Sequence, residues 1–209
     1  MNEGNVAVGL SGFFMAKYAY ANGAYSYTEG GAYFDAVSFQ DEPQAQEGAT
    51  TLPVNNVVKY GTSKNVSSVN LTVGTDGLSQ AAKRFIIGIM PETIDIDGKQ
   101  VSVMKYRNIV NPPYLGFGVI EEHKLSDDAG GAMLYLPKVF TKVKFSLTGS
   151  TINTRDPNNI AFQTKTVNAV AHADDSVDGI IWMEPAEMME ALASAVEFIE
   201  GFLGISAAG

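Results

Sequence analysis

Between Val139 and Leu147 the side chains exchange character at almost every step, a period of two that no helix presents as a face. Val139, Thr141, Val143, Phe145 and Leu147 fall on one side of an extended chain. Phe140, Lys142, Lys144 and Ser146 fall on the other, so this segment is expected to be a strand with one buried face. Val69, Leu71 and Val73 alternate with Ser68, Asn70 and Thr72 in the same way. Leu115–Glu122 and Ile160–Ala171 are further strand candidates. Tyr33, Asp35, Val37 and Phe39 face away from Ala32, Phe34 and Ala36, which predicts one strand covered on both sides or paired between chains. Asn22-Gly23 and Asp97-Gly98 are two-residue turns of type I′ chemistry, because Asn, Asp and Gly tolerate positive φ. Strands closely spaced by such turns predict a mainly β chain, a sandwich or barrel.

Two helices interrupt the strands. Leu78, Ala81, Ala82, Phe85, Ile86 and Ile89 recur at three and four, giving a helix over 78–88 with Asp76 as N-cap and Gly88 as stop. From Pro185 to about Ile199, Met188, Met189, Leu192, Ala195, Val196 and Ile199 form an apolar stripe. Glu187, Glu190, Ser194, Glu197 and Glu200 oppose it, and Gly201 and Gly204 weaken any continuation. Gln40–Ser63 carries Pro43, Gly48 and Pro53 with few apolar residues before Val57, and is expected to be a long loop. The chain therefore divides into a β domain over 1–183 and an acidic, amphipathic helical extension over 184–209.

Charge follows that division. Met1–Lys165 contains 15 acidic and 14 basic residues, a net of −1. Beyond Lys165 there is no Lys or Arg, and Asp174, Asp175, Asp178, Glu184, Glu187, Glu190, Glu197 and Glu200 supply the remaining −8. Counterion-release binding to nucleic acid is disfavoured on such a segment. The absence of Cys excludes disulfides and thiolate chemistry and suits a reducing cytoplasm. The opening Met-Asn-Glu-Gly-Asn has no basic n-region, and Gly9, Ser11 and Gly12 break the apolar run behind it. Neither a signal peptide nor membrane insertion is expected.

The motifs of catalysis are incomplete. His172-Ala-Asp174-Asp175 could be drawn as a metal cluster, but on a strand Asp175 leaves the face shared by His172 and Asp174. A turn flanked by solvated acids is the expectation there, and a charged strand end or loop at Glu121-Glu122-His123-Lys124. Asp95-Ile-Asp97-Gly98 begins like a calcium loop without its closing Glu. Gly9-Leu-Ser11-Gly12 lacks the spacing of a nucleophile elbow, and Gly116-Phe-Gly118 lacks the third Gly of a dinucleotide fingerprint. No catalytic, cofactor-binding or metal residue is nominated, and no enzymatic activity is expected.

The run Val8-Gly-Leu-Ser-Gly-Phe-Phe-Met-Ala-Lys-Tyr18, leading into a hairpin that ends at Tyr25 or Tyr27, resembles the opening of siphophage major tail proteins. The resemblance continues in order from residue 6 to about 183. Phe34-Asp-Ala-Val37 falls where a strand precedes a long loop, and Val69-Asn-Leu-Thr-Val73 with Leu78–Gly88 is similar to the family's strand and helix. Tyr114-Leu-Gly-Phe-Gly-Val119, Leu136-Pro-Lys-Val-Phe140 and Ile160-Ala-Phe-Gln-Thr-Lys-Thr166 resemble later strands. The acidic helix after Pro185 reads as a local addition.

The resemblance implies a tail-tube β-sandwich with one flanking helix, assembled from six copies into rings whose inner sheets join. Stacked rings would form the virion tail's conduit for DNA, with Gln40–Ser63 as an inter-ring arm. It further implies synthesis in the host bacterial cytoplasm and contacts with tape-measure, tail-tip and terminator proteins. Viral DNA would pass without sequence-specific binding, and acids of the body such as Asp35 would matter for the lumen, the C-terminal helix facing outward. The alternative is a β-sandwich binding module or another virion component, such as a decoration or host-surface-binding protein, using Tyr18, Tyr20, Tyr25 and Tyr27 in loops.

Overall fold

The computed structural model describes residues 5–34, 36–54, 57–75, 77–106, 111–125, 131–146 and 165–205. The side chains of 5, 33, 34, 36, 46–54, 57–65 and 125 are left aside. The chain is mainly β. Its strands are β1 (Asn5–Ala21), β2 (Ala24–Phe34), β3 (Ala36–Val54), β4 (Val57–Thr75), β5 (Glu92–Ile96) and β6 (Lys99–Val103), followed by β7 (Tyr114–Leu125), β8 (Leu134–Ser146), β9 (Lys165–His172) and the two-residue β10 (Trp182–Met183). Two helices, α1 (Gln80–Ile87) and α2 (Leu192–Leu203), complete it.

One large antiparallel sheet runs β2-β1-β7-β8-β9-β4-β3, with β10 added on β8 and β5–β6 forming a separate hairpin. β2 and β3 lie at opposite ends of that path, yet only residue 35 separates them in the chain. Two Cα-to-Cα steps of about 3.8 Å bridge that gap, so the sheet must roll until the start of β3 lies near the end of β2, without the two strands pairing. Phe39 of β3 accordingly packs across the roll against Phe13, Phe117 and Phe140 with tilted rings, at centroid distances of 6.5, 6.1 and 5.9 Å. The expected single strand around 33–39 is thus the joint between two strands. Asp35 lies outside the described residues.

The inside of the roll holds the main core: Phe13, Met15, Val69, Leu71, Val73, Leu115, Phe117, Val119, Phe140, Val143, Phe145 and Val167, with Ala82, Ile86 and Ile87 of α1. Each large side chain buried there contributes about 1.5–3 kcal/mol. A second cluster lies on the outer face, where Phe14, Ala16, Ile120 and Val139 meet Ala195, Ile199 and Leu203 of α2. β1 and β7 are therefore covered on both faces within one chain.

The alternation at 139–147 is real but interrupted. Phe117 pairs with Phe140 and Leu115 with Val143, so β8 spends three steps where β7 spends two. This bulge shifts the parity of β8. Val139 joins the outer cluster, whereas Val143 and Phe145 join the inner one with Phe140. Thr141, at the bulge, is buried and donates through Oγ1 to the carbonyl of Ile180 at 2.5 Å. Leu147 and residues 151–164 lie outside the described residues.

Both type I′ turns form, with φ of 54° and 80° at Asn22-Gly23 and 51° and 77° at Asp97-Gly98. α1 begins later than expected. Ser79 is its N-cap, accepting from the Ala82 N–H at 3.0 Å, and Gly88 ends it with φ of 72°. Asp76 lies outside the described residues. α2 begins at Leu192, not Pro185, because the preceding segment is engaged as strand. Trp182 and Met183 pair with Phe140 and Val139, and Met189 exchanges two 2.8 Å backbone bonds with Tyr135. The helix then runs through Gly201 to an αL stop at Gly204.

Gln40–Ser63 is not a loop. It comprises parts of β3 and β4, registered from Ala36↔Thr75 to Val54↔Val57. Pro43 and Pro53 are tolerated because β3 is an edge strand, where a missing N–H breaks no ladder on its open side.

Candidate functional site

Among the described residues no group of three or more His, Asp or Glu is gathered to hold a metal. No described helix is long and apolar enough to cross a membrane. Chemically active side chains collect instead at the two ends of the sheet, on the outer face at one and mostly on the inner face at the other.

At the end where Tyr114 pairs with Lys144, the β8 bulge turns Lys142 and Lys144 outward. Lys142 Nζ stands 4.7 Å from the Tyr114 ring centroid and 5.6 Å from that of Tyr18, and Lys144 Nζ stands 5.2 Å from Tyr114. His172, paired with Lys142 across β8–β9, meets Tyr114 edge-on at 6.1 Å. Its pKa is lowered by burial first and then by both lysines. Lys142 bonds Asp175 at 2.6 Å, and Tyr18 donates to the other Asp175 oxygen at 2.9 Å. The Lys142 bond is the leading reason that the Asp175 carboxyl is held below its ordinary value. Lys144 Nζ donates to Asn111 Oδ1 at 2.8 Å.

Tyr18, Tyr25 and Tyr27 continue this surface. They lie on β1 and β2 rather than in loops, with centroids 5.7–6.2 Å apart, and Phe202 of α2 packs on Tyr25 and Tyr27. Tyr27 donates to the Thr141 carbonyl at 2.9 Å, and burial raises its pKa strongly. Tyr20 is the more exposed member, at 43%.

His172, Asp174 and Asp175 do not converge. Asp174 is buried, and its Oδ1 accepts from the Ser176 and Ile180 amides and the Ser176 hydroxyl. The expected turn exists, but Asp174 is sequestered within it and Asp175 is ion-paired, so neither is simply a solvated acid.

The opposite end holds Glu121, Glu122 and His123. Lys138 reaches Glu121 at 2.8 Å and Asp41 at 3.3 Å, and His123 Nε2 lies 3.1 Å from Glu121. Burial opposes the Lys138 charge, but Glu121 and then Asp41 outweigh it and raise its pKa. Ser11 donates to Glu122. What reads in sequence as a charged strand end is a half-buried ion network, with His123 only 8% exposed. Asp95 instead caps its own turn, accepting from the Gly98 N–H at 2.9 Å.

Gly116 and Gly118 have a packing role. A Cβ at 116 would lie 2.5 Å from atoms of Leu203 and Tyr27, and one at 118 would meet Ile199 at 2.4 Å. They let α2 settle on β7.

The third surface is the β3–β4 hairpin. β9 accompanies β4 only from Ser68 to Thr75. From Ala45↔Val66 to Val54↔Val57 the two strands pair with each other, with no third strand among the described residues. That ribbon is about 33 Å long at the usual rise per residue. No protein-family model and no curated protein matches the chain.

Sequence spacing does not reveal the Lys142–Asp175–Tyr18 group, since its members lie up to 157 positions apart. Its one local signal is the pair of lysines at alternate positions of β8.

Proposed function

We propose that the chain is a self-assembling structural subunit of tail-tube type, six copies forming a ring and rings stacking into a conduit for viral DNA. The β3–β4 ribbon carries this reading. A two-stranded hairpin is at best marginal in water, so an extension of this length calls for a partner surface. The unshared edges of β2 and β3 offer a second kind of contact, and sheet closure between copies would remove them. Two separate surfaces are what an assembly of heterologous contacts requires. The family resemblance supports the same reading, and with it a tail location, contacts with other tail proteins and no catalytic role.

The test begins with negative-stain electron microscopy of the purified protein beside its mass in solution. Hollow tubes are the expected result. Replacing residues 46–65 by Asn-Gly would join the paired residues Ala45 and Val66 by a two-residue turn. That variant should remain folded by circular dichroism yet fail to form tubes. Long tubes from it would remove the inter-ring role of the hairpin. A folded monomer at high concentration that also fails to extend a preassembled tail-tip complex would favour the binding-module alternative.

A further inference from the structure

The two ends of the outer face carry opposite charge, and one copy alone does not bring them together. At one end Lys142, Lys144 and His172 surround the Tyr114 ring, with Asp175 as the carboxylate bonded there. At the other, Met189 bridges to Tyr135, which itself pairs with Glu122. Glu187 and Glu190 flank that bridge, both exposed, and neither forms an ion pair among the described residues. The Tyr114↔Lys144 and Glu122↔Tyr135 pairs bound this stretch of β7–β8. Eight steps of β7 separate them, about 27 Å. That is several times the Debye length of about 8 Å at physiological salt. Within a copy the two patches are therefore screened from each other.

We propose that these patches mate head to tail between copies: the Tyr114–Lys142–Lys144–His172 patch of one subunit receives the Glu187–Glu190 segment of a second copy. This rests on the reading of the chain as a self-assembling subunit and deepens it by naming the mating residues. Charge complementarity selects the occupant. Lys142 is committed to Asp175 and largely covered, which leaves Lys144, bonded only to the neutral Asn111, as the ammonium in excess, and the same chain supplies carboxylates at the far end of the same face. A contact joining unlike patches repeats in one direction, as stacking demands. The Tyr114 ring, holding both lysines over its face, fixes where they stand.

The test is a charge exchange in the full chain, followed by light scattering and electron microscopy. Lys144→Glu alone, and Glu187→Lys with Glu190→Lys, should each raise the concentration needed for assembly by more than roughly tenfold. Combining all three changes should recover most of the loss. Assembly of either reversed chain at the wild-type concentration, while wild type forms tubes, overturns this contact and leaves the tube reading standing. Loss without recovery in the combined chain also overturns it. A wild type that is folded and monomeric, even with a tail-tip initiator, removes both. Should Lys144→Glu misfold by circular dichroism, the glutamate reversals still decide the matter, since those side chains are exposed.

Discussion

Gly118 shows how one missing methyl group sets the position of a helix. Its added Cβ would intrude on Ile199, a fully buried residue with little room to withdraw. Gly118→Ala should therefore cost about 1–3 kcal/mol, read as a shift in denaturant midpoint at constant slope. Tyr18 offers a titration. Burial first, together with Asp175, pushes its pKa up to about 12. The unfolded phenol ionises near 10. The folded pKa is the higher of the two, so the stabilisation is complete below pH 10 and lost as pH rises from 10 towards 12. Thermal melts across that window should fall more steeply for wild type than for Tyr18→Phe. The residue scale was partly legible in sequence. Turn glycines and prolines declare themselves locally, but nothing adjacent to Asp175 announces Lys142 or Tyr18, because strand pairing assembles that group.

Elements were legible where one face is buried. Val69, Leu71 and Val73 alternate cleanly because β4 has its wet side outward. Elements are hidden where geometry breaks a period. The β8 bulge sends Val139 and Val143 to different clusters, and no residue type at 140–142 marks it. The β3–β4 hairpin was hidden because its prolines, glycines and polar residues resemble a loop's, while backbone pairing supplies the order. Pro185 suits a first turn and so points to an earlier start for α2, whereas the segment before Leu192 is bound to β8. In α1 the buried stripe is shifted from the expected one, with Ala81 exposed and Ile87, outside that stripe, facing the core. Ala82, Ile86 and Ile87 are buried, while Phe85 is only partly so. Ile86→Ala should thus cost about 2–5 kcal/mol. Phe85→Ala should cost less, and a larger loss in its melting curve would place the helix the other way round.

At the scale of the whole molecule, the class of fold follows from the sequence, while the roll of the sheet follows only from its connections. β1 pairs with β7, from Asn5↔Leu125 to Lys17↔Leu115, and β4 pairs with β9 some hundred residues on. So many distant pairings predict refolding in the range of about milliseconds to seconds, measurable by stopped-flow fluorescence of Trp182. Submillisecond recovery of the native signal would contradict that topology. The same wiring sets an order of events on the ribosome. The β1–β2 hairpin is complete at Phe34, but its inner edge waits for Leu125, about 90 residues later. At about 5–20 residues per second that is on the order of 5–18 s. Throughout that interval the strand destined for the centre of the sheet is an open edge, available to any other nascent copy. The nascent chain's first hazard is premature pairing with its siblings.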